Sequence, residues 1–262
     1  MFSKGFVVVV ALLLSSQRPQ PQELRVMLSG AFTEAYLQLV PAFEQSFTHR
    51  VVTSFGASMG GAPDSIPVRL ARGEPADVVI VAANALDDLT RAGRVVPGSR
   101  VDLVQSSIGM AVRAGAPKPD ISTVDTLRRT LLAAGTVAYS ASASGVYVST
   151  ELFDRLGIAE QMRGKTRRVE SERVGAVIAR GEADIGFQQI SELLPVAGID
   201  YVGPLPTAVQ RVTVFSAGIA TAARNRDGAK ALIEFLISRR AVNAIVKSGL
   251  EPLAAGATAT SR

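Results

Sequence analysis

The 262-residue chain contains no cysteine and no tryptophan, and its single histidine is His49. Without cysteine there is no disulfide, no thiolate nucleophile and no thiolate-bound metal. One histidine cannot build a His-rich zinc site and is a poor start for a Ser–His–Asp triad. His49 sits in a turn-like stretch, residues 47–50, ahead of a strand pattern, and reads as a surface side chain. Aromatic residues make up 5% of the chain, and its 28 lysines and arginines form no block. The net charge of +5 therefore points to no nucleic-acid partner. A mild positive excess suits a small anionic ligand instead. No apolar run reaches the length that spans a bilayer.

With 47% apolar and 19% charged residues, the chain is of a folded, globular kind with a sizeable core. Residues 1–22 read as an export signal, which implies a periplasmic protein. Lys4 supplies the positive start, residues 6–14 (FVVVVALLL) the apolar run, and residues 15–22 a polar, proline-rich joint. An Ala-x-Ala cleavage site is lacking there, so cleavage is expected somewhere between Ser15 and Gln22.

From residue 23 the pattern is strand, small-residue loop, helix, repeated. Strand patterns at 23–28, 50–55 and 76–82 lead into loops at 29–33, 56–61 and 83–85, each followed by a helical spacing. The run at 76–82 is apolar throughout, as in a strand covered on both faces. A second set follows: strands at 107–113, 136–139, 167–170 and 183–188, with helices at 122–134 (capped by Ser122), 148–156 and from 173 to 179. An extended segment at 210–215 and helices at 228–238 and 240–248 complete the chain. Such alternation predicts an α/β fold with parallel strands, and ligands in such sheets sit at the carboxyl ends of the strands. The hydroxyl-rich loop at 139–147 (YSASASGVY), between a strand and a helix start, offers backbone N–H groups and hydroxyls to an anion. Gly145 keeps Cβ bulk out of the way.

Four blocks, SGAFT at 29–33, SFGASM at 54–59, RGEPADVV at 72–79 and GEADIG at 181–186, resemble the periplasmic solute-binding proteins of the molybdate-binding type over residues 24–252. That resemblance implies a two-lobed, type II periplasmic-binding-protein-like fold with the ligand cleft between lobes. Residues 23–107 and 213–255 would form lobe 1, residues 108–212 lobe 2, and 256–262 a flexible tail. It also implies a monomer and, for a transport protein, an ABC permease as partner. The chain departs from plain molybdate binders at Gln189, where they place a tyrosine, and in its second loop. With IPVRL at 66–70, the loop at 139–147 and GFQQISEL at 186–193, those departures are similar to the aconitate isomerase subgroup on the same scaffold. The subgroup implies interconversion of trans- and cis-aconitate without a cofactor, and the sequence shows no metal-binding motif. The alternative is a binding protein for molybdate, tungstate or another small anion.

Burying a tricarboxylate calls for guanidinium groups and many N–H or O–H donors. Arg69 and Arg173 are the candidate cations, with Arg211 a weaker one. Ser29, Ser58, Ser142 and Ser144 are candidate hydroxyl donors; capping is the competing role for Ser29 and Ser144. Met59 and Gln189 complete the expected substrate-binding set. An allylic proton shift needs a base that also returns the proton. Glu172 and Tyr147 are the leading candidates, with Tyr139 and Asp64 behind them, and the residues alone do not choose among them.

Overall fold

The computed structural model describes residues 21–253. Residues 1–20 and the tail expected at 256–262 lie outside it, so the export segment is outside the described residues except for its last two positions. Ten strands are described: β1 (Gln22–Leu28), β2 (His49–Phe55), β3 (Val78–Ala82), β4 (Val101–Arg113), β5 (Val137–Ser140), β6 (Thr166–Val169), β7 (Ile185–Gln189), β8 (Ile199–Pro204), β9 (Val212–Ile219) and β10 (Glu251–Pro252). They are joined in the order β2-β1-β3-β9-β4-β7-β5-β6, with β8 and β10 also on β4.

Two groups of parallel strands flank an antiparallel centre. β1 runs parallel to β2 and β3, and β5 runs parallel to β6 and β7. Between them, β9 is antiparallel to β3 and β4, and β4 is antiparallel to β7. β4 serves both groups: it pairs with β9 as far as Ser107 opposite Val212, then with β7 from Ile108 opposite Gln189. The hydrophobic cores divide at the same place. One gathers Leu24, Phe43, Ile80, Leu103, Phe215 and Phe235. The other gathers Ile108, Leu127, Leu152, Phe187 and Leu205, with a smaller cluster around Val174 and Ile178. The result is a two-lobed α/β molecule. β3, buried at all five residues, is the doubly covered strand that its apolar run predicts.

Several elements differ from the sequence reading, each for a local reason. The helix expected at 148–156 begins at Ala143, because Ser142 takes the extended N-cap conformation; the chain then continues through a π-turn (Val148–Leu152) to Arg155. Thr123, not Ser122, caps the helix Val124–Ala133, through a reciprocal bond with Thr126 of 3.1 Å each way. β8 and the one-turn helix Ile190–Leu193 have no counterpart in the expected elements. Four residues are too few to show helical periodicity.

Gly145 is fixed by contact. A Cβ at this position would lie 1.6 Å from the Ser140 carbonyl oxygen, where the new helix folds back onto the end of β5. Overpacking of this kind typically costs 1–3 kcal/mol and more against backbone. Gly145→Ala is therefore expected to destabilise the protein by about 3 kcal/mol, read as a lowered urea midpoint in equilibrium unfolding. An unchanged midpoint would contradict this packing.

Candidate functional site

The carboxyl ends of β1, β2, β5, β6 and β7 open on one cleft of about 410 Å³ between the lobes. Lobe 1 contributes the turn after β1, the loop after β2 and Asp64; lobe 2 contributes residues 140–144, 169–173 and the end of β7. Among the described residues two side-chain hydrogen bonds cross it. Arg173 Nη2 donates to Glu34 Oε1 at 2.7 Å, and Ser171 Oγ donates to Asp64 Oδ1 at 3.1 Å.

Four of the expected hydroxyls line this cleft. Ser29 is 1% exposed, yet its Oγ has no hydrogen-bond partner. A buried, unpaired hydroxyl costs roughly 1–3 kcal/mol unless something else completes it. Ser29 precedes the short 3-10 turn Gly30–Phe32 but makes no side-chain capping bond, so capping does not explain it. Ser58 Oγ accepts from the Ala82 N–H at 3.0 Å, which leaves its own hydrogen to donate. Ser144 and Ser140 share one bond, Oγ to Oγ at 3.1 Å. Ser142 makes no capping bond with its side chain. Arg173 also lines the cleft. It spends one of its five N–H donors on Glu34, which leaves others for a ligand.

The remaining expected site residues stand elsewhere or are already engaged. Arg69 does not line the cleft: Glu74, in the loop beyond its helix (Ile66–Ala71), pairs with its Nε (2.8 Å) and Nη2, and Nη1 donates to the Phe55 carbonyl at 2.9 Å. It braces the loop after β2 from behind. Met59 packs against the lobe 1 core. Tyr147 is buried in lobe 2; its hydroxyl donates to the Val209 carbonyl (2.6 Å) and accepts from Arg155 Nη1 (3.1 Å), while Arg211 stacks on its ring. Tyr139 likewise packs on the lobe 2 core, away from the cleft lining. Gln189 touches the cleft, but the satisfied orientation of its amide donates to Ser106 Oγ (2.9 Å) and accepts from Thr213 Oγ1 (3.0 Å). Glu172 reaches the cleft rim half-exposed, clasped by both Nη atoms of Arg180 at 2.8 and 2.9 Å. That pairing holds its carboxyl below the usual range, which makes it a weak base.

Glu192 is the residue that the sequence reading left out. It stands in the one-turn helix after β7 and is partly buried against the cleft. Gln188 Nε2 donates to its Oε1 at 3.0 Å, and the Gln188 oxygen is itself fixed by the Val174 N–H at 2.8 Å. Across the cleft its carboxyl meets Gly30 so closely that a Cβ there would lie 2.0 Å from Oε1. Burial pushes the Glu192 carboxyl up to about 7, against the lowering pull of Arg173 and the Gln188 bond. The only sequence signal was a carboxylate placed three residues past the end of a buried strand, four residues after Gln188. Among the described residues no group of three His, Cys, Asp or Glu side chains has the geometry to hold a metal.

The model of the bacterial extracellular solute-binding protein family matches residues 24–251. The chain belongs to that family. It is 47% identical over 260 residues, 97% of its length and 99% of the relative's, to an aconitate isomerase from a Pseudomonas species. It is 24% identical to a molybdate-binding protein of Azotobacter vinelandii, over 93% and 95% of the two chains. Among solved structures, the periplasmic molybdate-binding protein of Azotobacter vinelandii superposes with a TM-score of 0.70 at 21% identity, covering 87% of this chain and 98% of that one. The sulfate-binding protein of Mycobacterium tuberculosis gives 0.70 at 20% identity over 88% and 87%. The two-lobed α/β fold is thus the solute-binding fold of this family.

Glu192 has a thermodynamic signature. Its folded-state pKa, about 7, lies above the ordinary 4.5, so between these values the folded protein holds a proton that the unfolded chain releases. Stability is lost as pH rises through that window, by about 3 kcal/mol in all, and levels off above it. The urea-unfolding free energy of Glu192→Gln minus that of the unmodified protein should therefore grow from pH 4.5 to pH 7.5; parallel curves would mean that burial does not hold the proton.

Proposed function

We propose that this protein is an isomerase that interconverts trans- and cis-aconitate by an allylic proton shift in the cleft between its lobes. The carrying observation is the near-full-length 47% identity to an aconitate isomerase. The cleft is chemically suited to that reading. A tricarboxylate needs cations and many donors; Arg173, the unpaired Ser29 hydroxyl and the Ser58, Ser142 and Ser144 hydroxyls converge there. Helix starts at Gly30 and Ala143 bring free backbone N–H groups to the same space.

The cleft also carries carboxylates, and its charge balance works because they are engaged. Glu34 faces Arg173, Glu170 faces Arg168, Glu172 faces Arg180, and Asp64 accepts from Ser171. Glu192 takes up a proton near neutrality. The shift itself breaks one C–H bond and makes another with no change of oxidation state, so it calls for no redox cofactor. What it calls for is donors that stabilise the dienolate formed between the two steps. The family's description as extracellular and the apolar run at 6–14 support a periplasmic location.

Transport-linked binding of molybdate or tungstate is the second reading, supported by the likeness to molybdate-binding proteins. Arg173 separates the two, because a tetrahedral oxyanion is satisfied by hydroxyls and N–H groups alone. Incubation with trans-aconitate in D₂O, followed by proton NMR, is expected to yield cis-aconitate with deuterium incorporated. No turnover together with a thermal shift by molybdate would overturn the isomerase. Arg173→Ala is expected to weaken tricarboxylate binding by roughly 10- to 100-fold in calorimetry, the range for a charge-assisted hydrogen bond; unchanged affinity would remove Arg173 from the site.

A further inference from the structure

Resting on the isomerase reading, we propose that Glu192 is the catalytic group that carries the proton from one carbon of aconitate to the other. The geometry selects it. Glu34, Glu170 and Glu172 are each held by an arginine, and Asp64 by Ser171. Tyr139 and Tyr147 lie outside the cleft lining. Among the described residues Glu192 alone of the lining carboxylates lacks an ion-pair or hydroxyl partner: Gln188 holds Oε1, and no described group bonds Oε2. It therefore offers one positioned oxygen and one oxygen free to meet a C–H bond.

The absence of a side chain at Gly30 lets that carboxyl reach the lobe 1 wall. Beside it, the unpaired Ser29 Oγ lies where it can donate to a substrate carboxylate. Glu192 removes a proton from the methylene carbon next to the alkene, and the electron pair spreads over the allyl unit and its carboxylates. The proton on Glu192 exchanges with water while the dienolate persists, Glu192 then delivers a proton to the former vinylic carbon, and the double bond moves one position. Rotation about the bond that was single before the shift sets the cis or trans outcome. One group serves in both steps, and Glu192 ends as it began.

Its environment suits the task. Burial makes the carboxylate a stronger base than one in water, while Arg173, the charged group facing it, keeps part of the population ionised. Glu34 draws on the same arginine from lobe 1. A group that titrates near neutrality is both a competent base and a competent acid.

The test compares unmodified protein with Glu192→Gln and Glu192→Asp, by aconitate interconversion, deuterium incorporation and thermal stabilisation by propane-1,2,3-tricarboxylate, which has no double bond to move. Expected are a loss of kcat of roughly 10²- to 10⁴-fold in Glu192→Gln, partial recovery in Glu192→Asp, and stabilisation by the saturated tricarboxylate in both. Turnover by Glu192→Gln within about threefold of the unmodified protein overturns the role of Glu192 and leaves the isomerase standing. Absence of turnover in the unmodified protein overturns both. Should Glu192→Gln fail to fold, the unmodified protein's kcat/KM decides: a rise to a plateau above about pH 7 is expected, and a flat profile from pH 5.5 to 8.5 overturns the assignment.

Discussion

The molecule depends on one strand's change of partner. β4 leaves β9 at Ser107 and joins β7 at Ile108, and at that step neither neighbour's ladder can satisfy every backbone group. Side-chain amides do so instead. Gln210 accepts from the Ile108 N–H and donates to the Ile108 carbonyl, both at 2.9 Å. Gln189 reaches Ser106 and Thr213 on the two crossover strands. A buried, unpaired backbone group costs about as much as a lost hydrogen bond or more. These amides let one strand belong to two cores, and they set the carboxyl ends of both parallel sets facing each other. The cleft is the space that this arrangement leaves.

Closure is written in the same polar terms. Among the described residues two side-chain bonds span the cleft, Arg173 to Glu34 and Ser171 to Asp64. Both lie at partly exposed positions, where solvent weakens ion pairs to about 1 kcal/mol or less. Lobe closure therefore rests on weak contacts that a ligand can supplement or replace. An anion that engages the remaining N–H groups of Arg173 adds to the bridge, so binding and closure reinforce one another.

Much of the fold was legible because its signals are local. β3 is apolar throughout, small-residue loops follow β1 and β2, and Gly73, Gly93, Gly157 and Gly181 end helices at positive φ. The lining of the candidate site was half legible for the same reason: Ser29, Ser58, Ser142 and Ser144 lie in loops whose place at strand ends is set by chain order. The failures are questions of partnership. Nothing in the sequence says that Glu74 captures Arg69, that Arg180 captures Glu172, or that Tyr147 turns inward to Val209. Glu192 was hidden in the opposite way: in sequence it is an ordinary carboxylate in a helical first turn, and nothing local says that Gly30 of the other lobe packs against its carboxyl.

In the proposed reaction, that burial is what would separate a scaffold that binds from one able to do chemistry. A cleft built only to hold an anion gains nothing from a carboxylate in its wall, since like charges repel and an unpaired carboxylate resists desolvation. Glu192 is kept there at a cost to stability near neutral pH, carried by two large cores that do not depend on it. Strain and misplaced charge of this kind persist where function holds them. In the proposed reaction the donors that would bind the tricarboxylate would also stabilise its dienolate, so a single added proton carrier would be enough to turn a binding cleft of this shape toward isomerisation.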